Sequence, residues 1–90
     1  MNVLREAEGL VYGDRQKQYS HPSRDYAKTA KMWTGILLEK LRPDVEITAK
    51  EAVLMMAAMK ISREQFRHKR DNIVDGIGYF VCAARIENDE

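Results

Sequence analysis

Apolar residues recur at spacings of three and four along four stretches of the chain, separated by polar and turn-prone residues, which is the pattern of amphipathic helices. Leu4, Ala7, Leu10 and Val11 form the first stripe, and they predict a short helix capped by Asn2 and ended at Gly13. The second stripe is Tyr26, Ala30, Trp33, Ile36, Leu37 and Leu41. It is capped by Ser23, stopped by Pro43, and places Trp33 in the core. Thr48-Ala49-Lys50-Glu51 fits a capping box, in which the threonine hydroxyl and the glutamate carboxylate each accept from the other's backbone N–H, so a third helix starts there. Its first half, residues 52–59, is apolar nearly all round and should be central to the core, whereas its second half turns polar through Lys60, Arg63, Glu64 and Arg67. After the basic connection His68-Lys69-Arg70, Asp71 or Asn72 caps a fourth helix with an apolar face of Ile73, Val74, Ile77, Phe80, Val81, Ala84 and Ile86. Gly76 and Gly78 each cost that helix about 1 kcal/mol relative to alanine, so a neighbouring helix is expected to approach closely there. With no β-alternation or hairpin signal, the expected fold is all-α, a four-helix bundle.

Ninety residues without a Pro/Gly/Ser-rich linker read as one helical domain over 1–90. A chain this short buries only roughly 60–65% of the surface its unfolded form exposes, and the apolar residues on almost every side of the third helix exceed what three short neighbours can cover. A homo-oligomer follows as an expectation, a dimer or a dimer of dimers. The 44% hydrophobic and 32% charged composition excludes disorder, and the longest apolar run, 52–59, is too short to span a bilayer. An acidic N-terminus without the features of an export signal and a single cysteine, Cys82, read as a buried small side chain, point to a reducing cytoplasm. A net charge of +1 provides no global attraction to nucleic acid or membrane.

Candidate chemistry lies where the third helix ends and the fourth begins. Lys60, Arg63 and Arg67 offer a point charge and two planar forks suited to phosphate. Asp71 and Asp75, four apart, with Glu64 opposite, are oxygen donors that could share one Mg²⁺. Residues 13–22 read as a polar loop of about ten residues, a length often associated with function, carrying Asp14, Arg15, Lys17, Tyr19 and His21. The bland alternative is an interhelical salt-bridge lattice among the same charges. No zinc motif, Walker loop, nucleophile elbow or dinucleotide fingerprint is present.

The blocks Tyr12-Gly13-Asp14-Arg15-Gln16, Tyr19-Ser20-His21-Pro22, Ala30-Lys31-Met32-Trp33, Met59-Lys60-Ile61-Ser62-Arg63 and Arg70 to Tyr79 resemble, in the same order, a family of small bacteriophage and prophage proteins of unknown function. That resemblance implies a viral origin and no particular activity. More distantly, the chain is similar to the MazG-like all-α nucleoside triphosphate pyrophosphohydrolases, which bind Mg²⁺ through an E-x-x-E pair on one helix and an E-x-x-D pair on the next. The corresponding positions here are Lys60, Arg63, Asn72 and Asp75, of which only Asp75 keeps the acidic pattern.

Together these readings lead to a phage-type helical protein of MazG-like architecture that binds a phosphate-bearing small molecule, a nucleotide above all. Lys60, Arg63, Arg67, Asp14, Arg15, Tyr19 and His21 are the candidate phosphate and nucleotide contacts, and Asp71, Asp75 and Glu64 the candidate metal ligands. Mg²⁺-dependent hydrolysis is an open extension of that reading. The rivals are nucleic-acid binding through the basic run 60–70 and a protein-interaction module, for example one directed at a host system.

Overall fold

The computed structural model describes residues 2–89, and every regular element among them is helical. Helix α1 (Val3–Gly9) starts where the Asn2 side chain accepts from the Leu4 amide at 2.7 Å. It does not end at Gly13. The chain passes through a wide π-turn, Leu10–Asp14, in which the Arg15 amide donates to the Leu10 carbonyl five residues back, and continues as α2 (Arg15–Tyr19). The expected polar loop over 13–22 is therefore mostly helix, and the terminator is Ser20, whose φ of 73° breaks the helical run. His21 then caps α3 (Pro22–Ile36), its Nδ1 accepting from the Ser23 amide at 3.0 Å, with Pro22 in the first turn where no N–H is needed. Ser23, expected as the cap, lies inside the helix instead.

Helix α3 ends before Leu41. Residues 37–48 follow as turns and irregular chain, drawn back by the Thr34 hydroxyl, which accepts from the Ile47 amide at 2.9 Å. The capping box forms as expected: Thr48 and Glu51 exchange side-chain and backbone hydrogen bonds at the start of α4 (Ala49–Phe66). Helix α5 (Arg70–Asn88) begins at Lys69 without a side-chain cap, so neither Asp71 nor Asn72 serves as one.

Four rods result: 3–19 as one interrupted helix, then α3, α4 and α5. Helix α5 packs against the other three and chiefly against α4. The core is Val11, Tyr26, Val53, Ala57, Tyr79 and Cys82, with Ala83 beside them. Tyr26 and Tyr79 meet edge to face, centroids 6.4 Å apart. Gly78 has the close neighbour its position predicts, since a Cβ there would stand 3.4 Å from the Val11 side chain; Gly76 has none, and a Cβ there would enter open space.

Three expectations about burial do not hold. On α5 the buried side is Asn72, Val74, Gly78, Tyr79, Cys82, Ala83 and Arg85, whereas Ile73, Phe80 and Ala84 of the expected apolar face are exposed. Trp33 is only half-buried and Ile36 is 76% exposed, where α3 runs out into the irregular 37–48 segment. Helix α4 buries Ala52, Val53 and Ala57, but Leu54 and Met55 are exposed, so its apolar circumference is covered on one side. No helix among the described residues is long and apolar enough to cross a membrane.

Candidate functional site

Three helices bring charges together around Asp75. On α5 its carboxylate receives Lys60 Nζ from α4 at 3.0 Å and Arg15 Nη2 from α2 at 3.5 Å. The Lys60 and Asp75 side chains are only 13% and 17% exposed, so this pair is shielded from water in a way that surface pairs are not. Arg15 also lies 5.8 Å above the centre of the Tyr79 ring. The salt-bridge lattice is real at this point, and it ties the N-terminal rod to the α4–α5 hairpin.

Beside the pair runs an open groove of about 540 Å³ between the end of α4 and the start of α5. Lys60, Arg63, Arg67 and Lys69 line it together with Asp71 and Asn72. The four cations reach it because Lys60, Arg63 and Arg67 recur at three and four along α4, and the short link to α5 folds Lys69 back over the same side. Phe66 stands at its edge, 92% exposed. Phe66 is not among the candidates drawn from the sequence; its signal there is an aromatic set among cations on a polar helix end.

Glu64 does something other than face the two aspartates. It closes the connection between the helices, accepting from the Lys69 amide at 3.0 Å and from the Asn72 side-chain amide at 3.1 Å while pairing with the His68 ring at 2.5 Å. Those bonds, His68 first and the Lys69 amide next, hold its carboxyl down to about 2. Asp71 lies on the groove, Asp75 is engaged with Lys60 and Arg15, and Glu64 is committed to the connection. Among the described residues no group of three or more His, Cys, Asp or Glu side chains is placed to hold a metal ion.

Of the candidates from residues 13–22, only Arg15 reaches this centre. His21 uses its Nδ1 to cap α3, and Asp14 and Tyr19 are exposed on the N-terminal rod, outside the residues that line the groove. Arg85 went unnoticed in the sequence although it recurs with Val74 and Gly78 on the buried side of α5. It is 5% exposed, donates to Gln16 at 2.7 Å and lies 4.2 Å over the Tyr12 ring, pinning the π-turn region to α5. Burial pushes the Tyr26 hydroxyl and the Cys82 thiol up, so neither ionises near neutral pH.

Residues 2–87 match the model of a family described as a domain of unknown function, DUF6378, and the chain belongs to that family. It is 34% identical over 86 residues to the Gene 55 protein of Mycobacterium phage D29, covering 94% of this chain and 53% of that protein. To the Gene 55 protein of Mycobacterium phage L5 it is 28% identical over 80 residues, 88% of this chain and 48% of the relative. The chain thus spans about half the length of the curated relatives it matches. No solved structure matches it. The family resemblance read from the sequence therefore holds as a phage protein family, and nothing in these matches connects the chain to the MazG-like pyrophosphohydrolases.

Proposed function

We propose that the protein binds a phosphate-bearing small molecule, with nucleotides the best-suited class, in the groove at the junction of α4 and α5. The observation that carries this reading is the convergence of Lys60, Arg63, Arg67 and Lys69 on one open groove with the exposed ring of Phe66 at its edge. Guanidinium forks and ammonium groups satisfy phosphate oxygens, and a free aromatic face accepts a stacked base whatever its identity.

Binding is favoured over cleavage in this reading. Catalysis would call for Mg²⁺ on Asp71 and Asp75 to activate water, but the Asp75 charge is already offset by two cations. A longer nucleic acid suits the surface less well than a nucleotide, because Arg70 is bonded to Glu6 at 2.9 and 3.1 Å and the His68 ring is engaged by Glu64. A host-directed protein partner gains no particular support from the groove.

Calorimetric titration with a panel of nucleoside mono- and triphosphates tests the proposal. Arg63→Ala should weaken binding by about 1.5–3 kcal/mol, the scale of a charge-assisted hydrogen bond, while the melting curve stays put because Arg63 is exposed. Absence of binding at millimolar nucleotide, or binding indifferent to Arg63→Ala, overturns it. Magnesium-dependent pyrophosphate release from any member of the panel would restore the catalytic version.

A further inference from the structure

Helices α4 and α5 also carry an exposed apolar face, bordered by Lys60, Glu64 and Asn72, that adjoins the basic groove and shares Lys60 and Asn72 with it. On α4, Leu54, Ala58 and Ile61 follow one another at four and three; on α5, Ile73, Ile77, Phe80 and Ala84 do so at four, three and four. Between the two stripes lies an apolar groove whose floor includes Gly76. Ile61 is 58% and Phe80 56% exposed. We infer that this face is where a second copy of the chain docks, its own α4–α5 hairpin laid against it about a two-fold axis.

Surface area supports a partner here. The chain exposes 6623 Å², about 1,200 Å² more than the roughly 5,400 Å² of a compact monomer of its 10.4 kDa mass. A standard interface takes about 800 Å² from each partner, so one dimer contact absorbs most of the excess. The radius of gyration, 13.9 Å, likewise exceeds the roughly 12 Å expected for this length.

Two further observations select a second copy as the occupant. The stripes repeat with the spacing of a helix-bundle seam, and a face built from two antiparallel helices is self-complementary when rotated upon itself. The charges at its border are matched within the chain: Lys60 with Asp75, Glu64 with the His68 ring, and Lys50 with Glu87 at 3.3 Å. Identical faces therefore meet without opposing bare like charges, whereas a charged partner would find no free complement.

Gly76 fits the same arrangement. It weakens the middle of α5, yet beyond its adjacent residues and its own helical backbone nothing described comes within 4 Å of where a Cβ would be. A helix from a second copy crossing at this point gains the close approach that its own chain leaves unused.

The mass of the full chain, measured by light scattering and sedimentation from low to high micromolar concentration, tests the inference. The wild type should run at twice its 10.4 kDa. Phe80→Glu, Ile61→Glu and Gly76→Leu should each raise the dissociation constant at least a hundredfold while keeping the helical circular dichroism of the wild type. Gly76→Leu guards against misfolding, because a Cβ at that position meets open space in the single chain. Ile36→Glu, on the exposed end of α3, serves as the control and should leave the dimer intact. A monomer at high micromolar concentration, or an oligomer broken by Ile36→Glu and not by the three face variants, overturns the inference.

Discussion

Tyr79 and Trp33 are both aromatic residues of long helices, and the structure treats them differently: Tyr79, outside the expected apolar face of its helix, is buried, whereas Trp33, on an expected stripe, is not fully covered. Tyr79 is buried on α5, with Tyr26 edge-on, Arg15 over its ring and Val53 in the same cluster. Trp33 is half-buried on α3 and is followed by exposed Ile36 and Leu38. Their helices differ in surroundings: α5 touches every other rod, while the second half of α3 borders the irregular 37–48 stretch. Periodicity identifies a face that could be buried, and it is silent on whether a ninety-residue chain has enough neighbours to cover it.

Truncation of the two rings sharpens the contrast. Tyr79→Ala should cost about 3–5 kcal/mol, the range for emptying a packed aromatic position, and should unfold the domain or lower its melting temperature by tens of degrees. Trp33→Ala should cost about 2 kcal/mol, near half of that, because its side chain is already partly hydrated. Chemical denaturation of both variants measures the difference, and equal losses would mean that the end of α3 belongs to the core after all.

The smallest expected effect lies at the connection between α4 and α5. Glu64 has its carboxyl held near 2 against an ordinary value of 4.5, so its contribution to stability is complete above about pH 4.5 and drains away as the pH falls towards 2. Replacing it with glutamine should flatten the stability profile across that window and leave little pH dependence of its own. A Glu64→Gln profile as steep as that of the wild type would assign acid sensitivity to other carboxylates.

The parts of the fold legible in the sequence were those decided within one turn of chain. Asn2 caps α1 and Thr48 with Glu51 forms its box because each needs only residues two or three away. The continuation of helix through Gly13 was hidden, since the contacts that support it, Arg15 to Asp75 and Gln16 to Arg85, come from sixty and more residues downstream. The candidate site divides in the same manner. Lys60, Arg63 and Arg67 share one side of α4 by spacing alone, and the groove they line together is present. Glu64 looked like a third carboxylate for the two aspartates because spacing shows which residues share a face, while the short connection at 67–69 decides where a carboxylate is needed to accept the Lys69 backbone N–H. Arg85 was concealed by its charge, although its register with Val74 and Gly78 placed it inward.

The wide turn at Leu10–Asp14 acts as a phase correction. In an uninterrupted α-helix at about 100° per residue, position 15 would stand roughly 80° around the axis from Ala7. A π-turn takes back about one residue's rotation, which returns Arg15 to the line of Ala7 and Val11 and so to Asp75. It follows that the N-terminal rod is unequally tolerant of changes in length. Deleting one residue inside the turn, Gly13 for instance, would convert it to ordinary helix and leave both ends in register. The same deletion at Glu8 would rotate the two ends against each other and separate Arg15 from Asp75.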